Sequence, residues 1–539
     1  MDKSYTPPSD PGFLSFAVSR AGYGARPGEI EALERSGFAR WIEEQLTPDE
    51  RADGAARARL DALRLPIKYA AGPGTPGPNG VSQIWDARDE KRPLATLDQP
   101  IESLWPLVDR TVPMDNAERR RPRDEVIAAT ILRAVHSRWS LRERLVSFWH
   151  DHFNVDAFGS DQVTAALPVY DRDVIRAHCL GNFRAFLEAV ASSAAMQYFL
   201  SNRSSRAGAA NENYARELFE LHTLGREAYL NDRYNRWREV PGALKRAPSG
   251  YIDEDVYEAA RAFTGWTVED GTRIDSRTEL PRTGRFRYVE AWHDGYQKRV
   301  LATEFDPFQP PLADGRKVLD LAADHPATAR FLCTKLVRRF VADKPPASLI
   351  AAATAAWQKY RKAPDQIARV MRVILLSPQF ATSRGAKLRR PLELVAAFSR
   401  ATGLDLVPSE ALANEMANAG QRLFGWPTPT GLPDDSDYFL TTNGMRRRWA
   451  LIIGLADNAW QNGVIPAAAH EAAGQPTPRA LTTYWLRRLG VDAAAEPVIL
   501  QALGRAPDQP VAKPGDGDFA KRLARIAAYA ALAPGFQSC

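Results

Sequence analysis

The sequence predicts a mainly α-helical protein: one large multi-helix domain with a small β-hairpin or strand region near residues 270–305. Three observations predict this class. Apolar residues recur every three or four positions along most of the chain, as they do on one face of an α-helix. Residues that favour helix starts precede several of these segments. Residues 270–305, notably 284–289, are the only good strand candidate, and so little strand indicates a mainly α fold.

The 539 residues are sufficient to bury a substantial core without disulfides or metals. Residues 1–11 are predicted to form an N-terminal tail, and residues 12–470 a helical domain. Pro, Gly or Arg interrupts the helical pattern at 70–80, 226–250 and 425–440, so these segments are predicted loops. Residues 471–539 are predicted to form a C-terminal helical extension packed on the main domain.

Specific residues mark the ends of several predicted helices. Ser140 and Glu143 have the spacing of a capping box. Asp253 is the predicted N-cap of a helix that continues through Phe263. The helix over residues 211–224 is predicted to end at Gly225.

Composition excludes several classes of protein. The net charge of +6 is small beside 71 basic and 65 acidic residues, so no nucleic-acid partner is predicted. The three cysteines are widely spaced, which excludes a zinc-finger motif and a disulfide framework. No apolar run is long enough for a transmembrane segment. The N-terminus lacks the pattern of a leader peptide, so a cytoplasmic location is expected, with export by another route left open.

Several segments resemble those of one bacterial family. The most specific are FWHDHF (148–153) and NENYARELFELHTLG (211–225). The others are SRAGYG (19–24), LGNFRAFL (180–187), DEDVYEAARAFTGWTV (253–268), HDGYQK (293–298), HPATARFLCTKLVRRFV (325–341), RRPLELV (389–395) and GQRLFGWPTPTGLPDD (420–435). Over residues 12–470 the chain resembles the family catalogued as domain of unknown function 1800. The resemblance implies a mostly helical single unit, export and an alkaline-phosphatase-like partner protein, but no settled activity.

The segment NENYARELFELHTLG contains the clearest candidates for catalytic or metal-binding side chains. On a helical wheel, His222 lies near the side opposite to a polar stripe of Asn213, Arg216, Glu217 and Glu220. Two carboxylates at this spacing can chelate a metal, or one can raise the pKa of the other and so provide an acid and a base. The alternative is a structural network, in which Arg216 forms ion pairs one turn away on either side.

FWHDHF supplies two histidines. On a regular helix, His152 lies in the apolar stripe and His150 on the opposite side. If the helix ends before His150, both side chains point the same way, which is a common arrangement of metal ligands. The alternative is a hydrogen-bonded histidine in the core.

HDGYQK is a third candidate. Asp294 is a candidate catalytic residue, and His293 and Lys298 are candidate substrate-binding residues. The alternative is an ordinary turn, since Asp-Gly is a common turn sequence.

These segments together predict an interior site. The candidate ligands of a divalent zinc, manganese or iron ion are His150, His152, Glu217, Glu220 and His222. The candidate catalytic residues are Arg216, Glu217, Glu220, Asn213 and Asp294. The metal would activate water for hydrolysis, with a carboxylate as base and Arg216 holding an anionic substrate.

The leading prediction is therefore an enzyme, a metal-dependent hydrolase. One alternative is a scaffold or binding protein whose polar helix segments are structural networks. Another is a metal or haem redox protein with His152 or His222 as axial ligand. Nucleotide-binding glycine motifs, HExxH and GxSxG are absent from the sequence.

Overall fold

The structure, a computed structural model, describes residues 5–77, 79–471, 474, 476–511 and 518–539. Within these residues it contains 25 α-helices and three two-stranded antiparallel sheets, and 55% of the chain is helical. The predicted mainly α class is confirmed. None of the helices in the described residues has the length and apolar content needed to cross a lipid bilayer.

The N-terminal part contains short helices and one hairpin. Its elements are α1 (Pro11–Ala21), α2 (Glu29–Ser36), α3 (Phe38–Leu46), α4 (Gly54–Ala62), β1 (Arg64–Tyr69), β2 (Arg88–Pro93) and α5 (Ile101–Leu104). The β1–β2 hairpin was not predicted. In β1, Leu65, Ile67 and Tyr69 alternate with Arg64, Pro66 and Lys68 and are the more buried positions. This strand is short, and β2 is charged and largely exposed and has no apolar alternation.

The next part holds the two most specific family segments. Its helices are α6 (Asn116–His136), α7 (Ser140–His152), α8 (Asp161–Val169), α9 (Phe183–Ala191), α10 (Ala194–Phe199), α11 (Glu212–Glu217) and α12 (Asp253–Ala262). Two of these helices continue into π-helical turns, at Tyr170–Arg176 after α8 and at Leu218–His222 after α11. A π turn changes the directions of the side chains that follow it, because its hydrogen bonds join residues five apart.

Two capping predictions are wrong. Ser140 is the first residue of α7 and not its N-cap, because a glutamine side chain from α3 accepts the hydrogen bond of the next amide. The Ser140 hydroxyl has no hydrogen-bond partner among the residues described. Asp253 is likewise the first residue of α12. Its N-cap is Ile252, whose N–H donates to the Asp255 carboxylate at 2.9 Å.

The predicted strand region near 270–305 is confirmed as two hairpins. The strands are β3 (Trp266–Asp270), β4 (Arg282–Tyr288), β5 (Lys298–Val300) and β6 (Thr303–Phe305). In the first hairpin, Trp266 pairs with Tyr288 and Val268 with Phe286, and the second joins β5 to β6.

The remaining helices complete two apolar cores. They are α13 (Ala313–Asp324), α14 (Pro326–Phe340), α15 (Ala347–Lys359), α16 (Gln366–Leu375), α17 (Pro378–Ala381), α18 (Pro391–Thr402), α19 (Glu410–Asn418), α20 (Thr442–Ala456), α21 (Ala468–Glu471), α22 (Pro478–Leu489), α23 (Glu496–Leu503), α24 (Phe519–Leu532) and α25 (Pro534–Gln537). One core contains α1, α7 and α14, and the other contains α18, α20, α22 and α24. Helix α6 contributes to both.

Helix α1 is tied to segments far along the chain. Arg20, which is fully buried, donates to the Ser383 carbonyl oxygen at 3.2 Å. Ser19 accepts a hydrogen bond from Arg389 at 2.6 Å. The first helix is therefore held by residues more than three hundred positions later in the sequence.

Candidate functional site

The two histidines of FWHDHF face different surroundings. Helix α7 stays regular through His152, so side chains two residues apart do not point the same way. His150 Nε2 lies 3.0 Å from Asp171 Oδ1. His152 Nδ1 lies 2.9 Å from Lys335 Nζ. The extended His-x-His arrangement considered from the sequence is not formed.

His150 belongs to a buried network of charged side chains. Arg176 contacts Asp171 at 2.8 Å and forms two hydrogen bonds with Glu143, at 2.9 and 2.7 Å. Burial alone would raise the pKa of Asp171, but the charge of Arg176 and the hydrogen bond with His150 hold it well below its ordinary value. The adjoining cavity measures about 40 Å³, room for about one or two water molecules. This arrangement favours a structural role for His150.

His152 stands between Lys335 and His222. An ammonium group can only donate, so Lys335 Nζ donates to His152 Nδ1 and the proton of His152 is on Nε2. That Nε2–H donates to the His222 carbonyl oxygen at 3.1 Å. Burial, followed by the charge of Lys335, lowers the pKa of His152 well below its usual range. The ring is therefore neutral and fixed in one tautomer.

The His222 ring lies beside that of His152, with 6.1 Å between their centroids. It is 1% exposed, and neither ring nitrogen has a hydrogen-bond partner among the residues described. Burial, with a further contribution from Lys335, lowers the pKa of His222 to about 3. His222 therefore lies in the same cluster as His152 and Lys335.

Asp151 and Asp434 flank Lys335, and two arginines neutralise them. Asp434 Oδ1 lies 2.7 Å from both Arg339 Nη1 and Arg390 Nη2. Asp151 lies 3.3 Å from Arg339 and also forms an ion pair with Arg390. Lys335 itself has no carboxylate within ion-pair distance in the described part of the chain.

Lys335 and Arg338 are the two cations of this cluster that lack a carboxylate partner among the residues described. Arg338 follows Lys335 by one turn of α14, and its buried Nε has no hydrogen-bond partner there. Burial lowers the pKa of Lys335 and Arg338 adds to this shift, whereas Asp434 and Asp151 oppose it. The cluster thus carries unpaired positive charge in a half-buried position.

Five of the segments that carry the family resemblance meet at this cluster. One of them approaches closely because Gly431 has a φ of +71° and no side chain, and a Cβ there would overlap the Asp151 carbonyl oxygen. Gly225, at the end of NENYARELFELHTLG, also has a positive φ, of +87°. A Cβ at this position would lie only 2.6 Å from the Phe331 ring and would overlap it. The cluster, here called the Lys335 centre, consists of Asp151, His152, His222, Lys335, Arg338, Arg339, Arg390 and Asp434.

The polar stripe of NENYARELFELHTLG forms only part of the ion-pair network that the structural alternative predicted. Arg216 lies 3.3 Å from Glu212 and 3.4 Å from Asp253. The predicted Arg216–Glu220 ion pair is not formed, because Glu220 lies in the π turn and is rotated away. Asn213 is exposed and donates to a backbone carbonyl at 3.2 Å.

Glu217 is half-buried and has no hydrogen-bond partner among the described residues. Burial raises the pKa of its carboxyl, the charge of Glu220 raises it further, and Arg216 opposes the shift. This is the mutual effect of two carboxylates that the sequence suggested. The pair is a second candidate site.

The side chains of HDGYQK are engaged inside the protein. Lys298 is 2% exposed, and its Nζ lies 2.7 Å from Asp314, which also lies 3.3 Å from His293. Asp294 is paired with Arg261 at 2.7 Å. These contacts favour the structural alternative for this segment.

The five predicted metal ligands are not brought together. Among the residues that the structure describes, no three His, Cys, Asp or Glu side chains are grouped to hold a metal ion. His150 pairs with Asp171, and His152 contacts Lys335. Glu217 and Glu220 influence one another, and neither is among the charges that shift the pKa of His222. The sequence reasoning missed Lys335, for which the only signal was its position in a segment that resembles the family.

No curated protein and no solved structure matches the chain. A family model described as "Protein of unknown function (DUF1800)" matches residues 16–538. The match covers the segments on which the resemblance rested and continues through the C-terminal helices. The resemblance is thereby confirmed: the chain belongs to the DUF1800 family of proteins of unknown function.

Proposed function

We propose that this protein is an enzyme, a hydrolase of anionic substrates in which Lys335 is the reacting group. The observation that carries the proposal is the position of its amine. Lys335 Nζ is half-buried, is hydrogen-bonded to a neutral histidine and has no carboxylate partner among the residues described. Five family segments converge around it. Perturbed lysines of this kind recur at catalytic sites.

The charge of the Lys335 centre supports an anionic substrate. Arg339 and Arg390 are neutralised by Asp151 and Asp434. An unpaired guanidinium with restricted hydration, that of Arg338, favours a bound anion, such as a carboxylate, sulfate or phosphate group. Arg338 would hold that group through its guanidinium, next to the amine.

The proposed reaction is general base catalysis. Because burial lowers the pKa of Lys335, more of its amine is neutral near neutral pH. The neutral Nζ takes a proton from the attacking water, and the resulting hydroxide attacks the electrophilic centre of the substrate. The bond to the leaving group then breaks, and the Lys335 ammonium returns its proton to the departing oxygen. His152 is a positioning residue in this scheme, since its Nδ1 holds Nζ while its Nε2 is anchored on the His222 carbonyl oxygen.

This proposal keeps the predicted hydrolase class and changes the site. The metal-dependent form required ligands that lie apart in the fold. The scaffold alternative accounts for two networks, those around Asp171 and Asp314, but it leaves Lys335 without a role. Association with an alkaline-phosphatase-like protein, which the family resemblance implies, remains a prediction that co-purification would test.

Labelling with pyridoxal 5′-phosphate tests the amine and the anion site together, because the reagent carries an aldehyde and a phosphate. Its aldehyde condenses with a neutral amine to an imine and releases water; borohydride then fixes the adduct for peptide mass spectrometry. Each unit by which the pKa of Lys335 is lowered makes the neutral fraction about tenfold larger. We expect preferential labelling of Lys335 and protection by inorganic phosphate. Exposed Lys359 and ion-paired Lys387 are matched control lysines.

Hydrolysis of p-nitrophenyl phosphate, sulfate and acetate tests the reaction. Lys335→Arg keeps the positive charge and removes the base, so we expect it to lower kcat by about 10²-fold or more. His152→Gln should also lower kcat, whereas Lys359→Arg should not. Full activity of Lys335→Arg, or the absence of both hydrolysis and phosphate-protected labelling in the unmodified protein, would refute the proposal.

A further inference from the structure

A surface cavity of about 180 Å³ opens between the turn after α1, helix α4 and the C-terminal ends of α6 and α18. At about 30 Å³ per molecule of liquid water, this volume corresponds to about six water molecules. Three arginines from separate elements of the fold line the cavity: Arg26, Arg59 and Arg400. Arg26 is half-buried, Arg59 is exposed and Arg400 is buried. The cavity is therefore open to solvent and lined by cationic side chains.

Arg26 and Arg400 lie side by side, because they share two acceptors at the end of α6. Arg26 Nη2 donates to the carbonyl oxygens of Val135 and Ser137, at 3.1 and 3.2 Å. Arg400 Nη1 donates to the same two oxygens, each at 3.1 Å, and its Nη2 is paired with Glu29 at 3.2 Å. Arg26 has no carboxylate within ion-pair distance of its guanidinium in the described part of the chain. Its Nε and Nη1 have no hydrogen-bond partner there either, and both are accessible to solvent.

Arg59 stands at the mouth of the cavity. Its Nε lies 2.8 Å from Asp405 Oδ1 and its Nη1 donates to the Ala55 carbonyl oxygen at 3.4 Å, while Nη2 has no partner among the residues described. Asp405 Oδ1 also lies 3.6 Å from His136 Nε2, which is beyond hydrogen-bond distance. Burial, followed by the charge of Arg59, lowers the pKa of His136 to about 4, so this ring adds no charge near neutral pH. The carboxylate that offsets Arg59 is thus that of Asp405, which is itself 72% exposed.

The unused donors of the cavity favour an anion. A further carboxylate, Asp53, lies near Arg26, but it accepts hydrogen bonds from the Ser137 hydroxyl and the Arg138 amide. A half-buried guanidinium that lacks a carboxylate partner has lost part of its hydration without gaining an ion pair. Charge-assisted hydrogen bonds from Arg26 and Arg59 would therefore stabilise a negatively charged group in this space.

We infer that this cavity binds a phosphate group, either as inorganic phosphate or as part of a small phosphate monoester. The donors of Arg26 and Arg59 belong to two different elements, which suits a tetrahedral anion better than a planar carboxylate. Arg400 adds positive charge beside Arg26 without contacting the ligand, because its own donors are engaged. The rest of the lining includes apolar Pro27 and Leu404 and leaves room for only a short organic group.

Calorimetric titration with sodium phosphate, near pH 7.5 and at fixed ionic strength, tests the inference. The protein is titrated as the wild type and as Arg338→Met, because this change removes the proposed anion contact of the Lys335 centre. We expect Arg338→Met to retain saturable binding of one phosphate per chain. Methyl phosphate, titrated in parallel, distinguishes the two sources: tighter binding than phosphate assigns the site to a monoester, and weaker binding assigns it to the free anion. Acetate, a planar anion, should bind about tenfold more weakly than phosphate or worse.

Single substitutions locate the site. Arg26→Met should weaken phosphate binding by about tenfold or more, and Arg59→Met by about threefold or more, since each removes a charge-assisted hydrogen bond. Asp405→Asn removes the carboxylate at the mouth and releases Arg59, so it should strengthen binding by about twofold or more. Arg57→Met is the matched control, because Arg57 lies on the same helix as Arg59 but is paired with Asp61 and does not line the cavity. It should change binding by less than about twofold.

The inference would be overturned if neither phosphate nor methyl phosphate bound saturably, if acetate bound as tightly, or if Arg57→Met weakened binding as much as Arg59→Met. Weaker binding in Asp405→Asn would also contradict it. Circular dichroism verifies the fold of each variant, and the two changes at exposed positions, Arg59 and Asp405, decide the matter if Arg26→Met does not fold. Phosphate binding that Arg338→Met retains does not depend on the Lys335 centre, so failure of the proposed hydrolase and failure of this site are separable.

Discussion

Replacing His222 with Phe should make the protein less sensitive to acid. His222 is buried and burial lowers its pKa to about 3, so the folded protein keeps the ring neutral through mildly acidic pH. The unfolded chain takes up the proton with a pKa of about 6.5. The unfolded state therefore binds more protons below that pH. Stability is present above the unfolded pKa and is lost as the pH falls from there toward the folded pKa.

The expected magnitude follows from the two pKa values. At about pH 5, protonation of His222 in the unfolded chain favours unfolding by about 2 kcal/mol, and at about pH 7.5 the effect is close to zero. His136 and His470 act in the same direction, because burial lowers the pKa of each to about 4. The wild-type protein should thus lose several kcal/mol between these pH values. His222→Phe should lose about 2 kcal/mol less than the wild type does.

Urea denaturation at the two pH values measures this difference. Phenylalanine keeps an aromatic ring next to Phe153, whose centroid lies 5.2 Å from that of His222, so gross repacking is limited. Phe331→Leu is the matched control, since Phe331 packs on His152, the ring next to His222, and carries no titratable group. An equal loss of stability in His222→Phe and the wild type would refute a neutral, buried His222.

Three further predictions concern the stability and the metal content of the protein. Arg176→Met leaves buried Glu143 without its ion-pair partner and leaves Asp171 with only His150 and Arg133. It should lower the free energy of unfolding by about 3 kcal/mol. Arg57→Met, at an exposed ion pair, should cost less than about 1 kcal/mol in the same urea titration. Gly431→Ala should lower Tm more than Gly208→Ala, because both positions have positive φ but only the first would place a Cβ against backbone; equal effects would contradict this explanation. Elemental analysis of untagged protein should find zinc, manganese and iron well below one ion per chain; a stoichiometric metal that is lost in His150→Ala would restore the predicted metal centre.

The sequence predicted those parts of the fold that depend on local periodicity. The helices and the strand region after Trp266 were found because each buries one face and leaves the other exposed. The β1–β2 hairpin was missed because the alternation in β1 is short and β2 is charged, exposed and without apolar alternation. The capping predictions at Ser140 and Asp253 failed for other reasons. At α7 a distant residue, Gln45, accepts the hydrogen bond of the Leu141 amide. At α12 the N-cap lies one residue earlier, at Ile252, whose amide donates to Asp255.

The site was predictable only within one segment at a time. The stripe of NENYARELFELHTLG was recognised, and so was the effect of Glu220 on the pKa of Glu217. The predicted convergence with His150 depended on how α7 ends, and a helix that stays regular through His152 separates the two rings. Lys335 was missed because its environment is made by residues from five segments, and no local spacing indicates which distant side chains surround an amine.

The contacts between α1 and the second half of the chain have a consequence for synthesis on the ribosome. Arg20 and its partner Ser383 are 363 residues apart. At the usual rate of about 5–20 residues per second, roughly 20 to 70 s separate their emergence from translation. Throughout this interval α1 can pack on α2, α3 and α7, but it lacks its contacts with the second half of the chain. The first helix to be made is thus among the last to gain all of its native contacts.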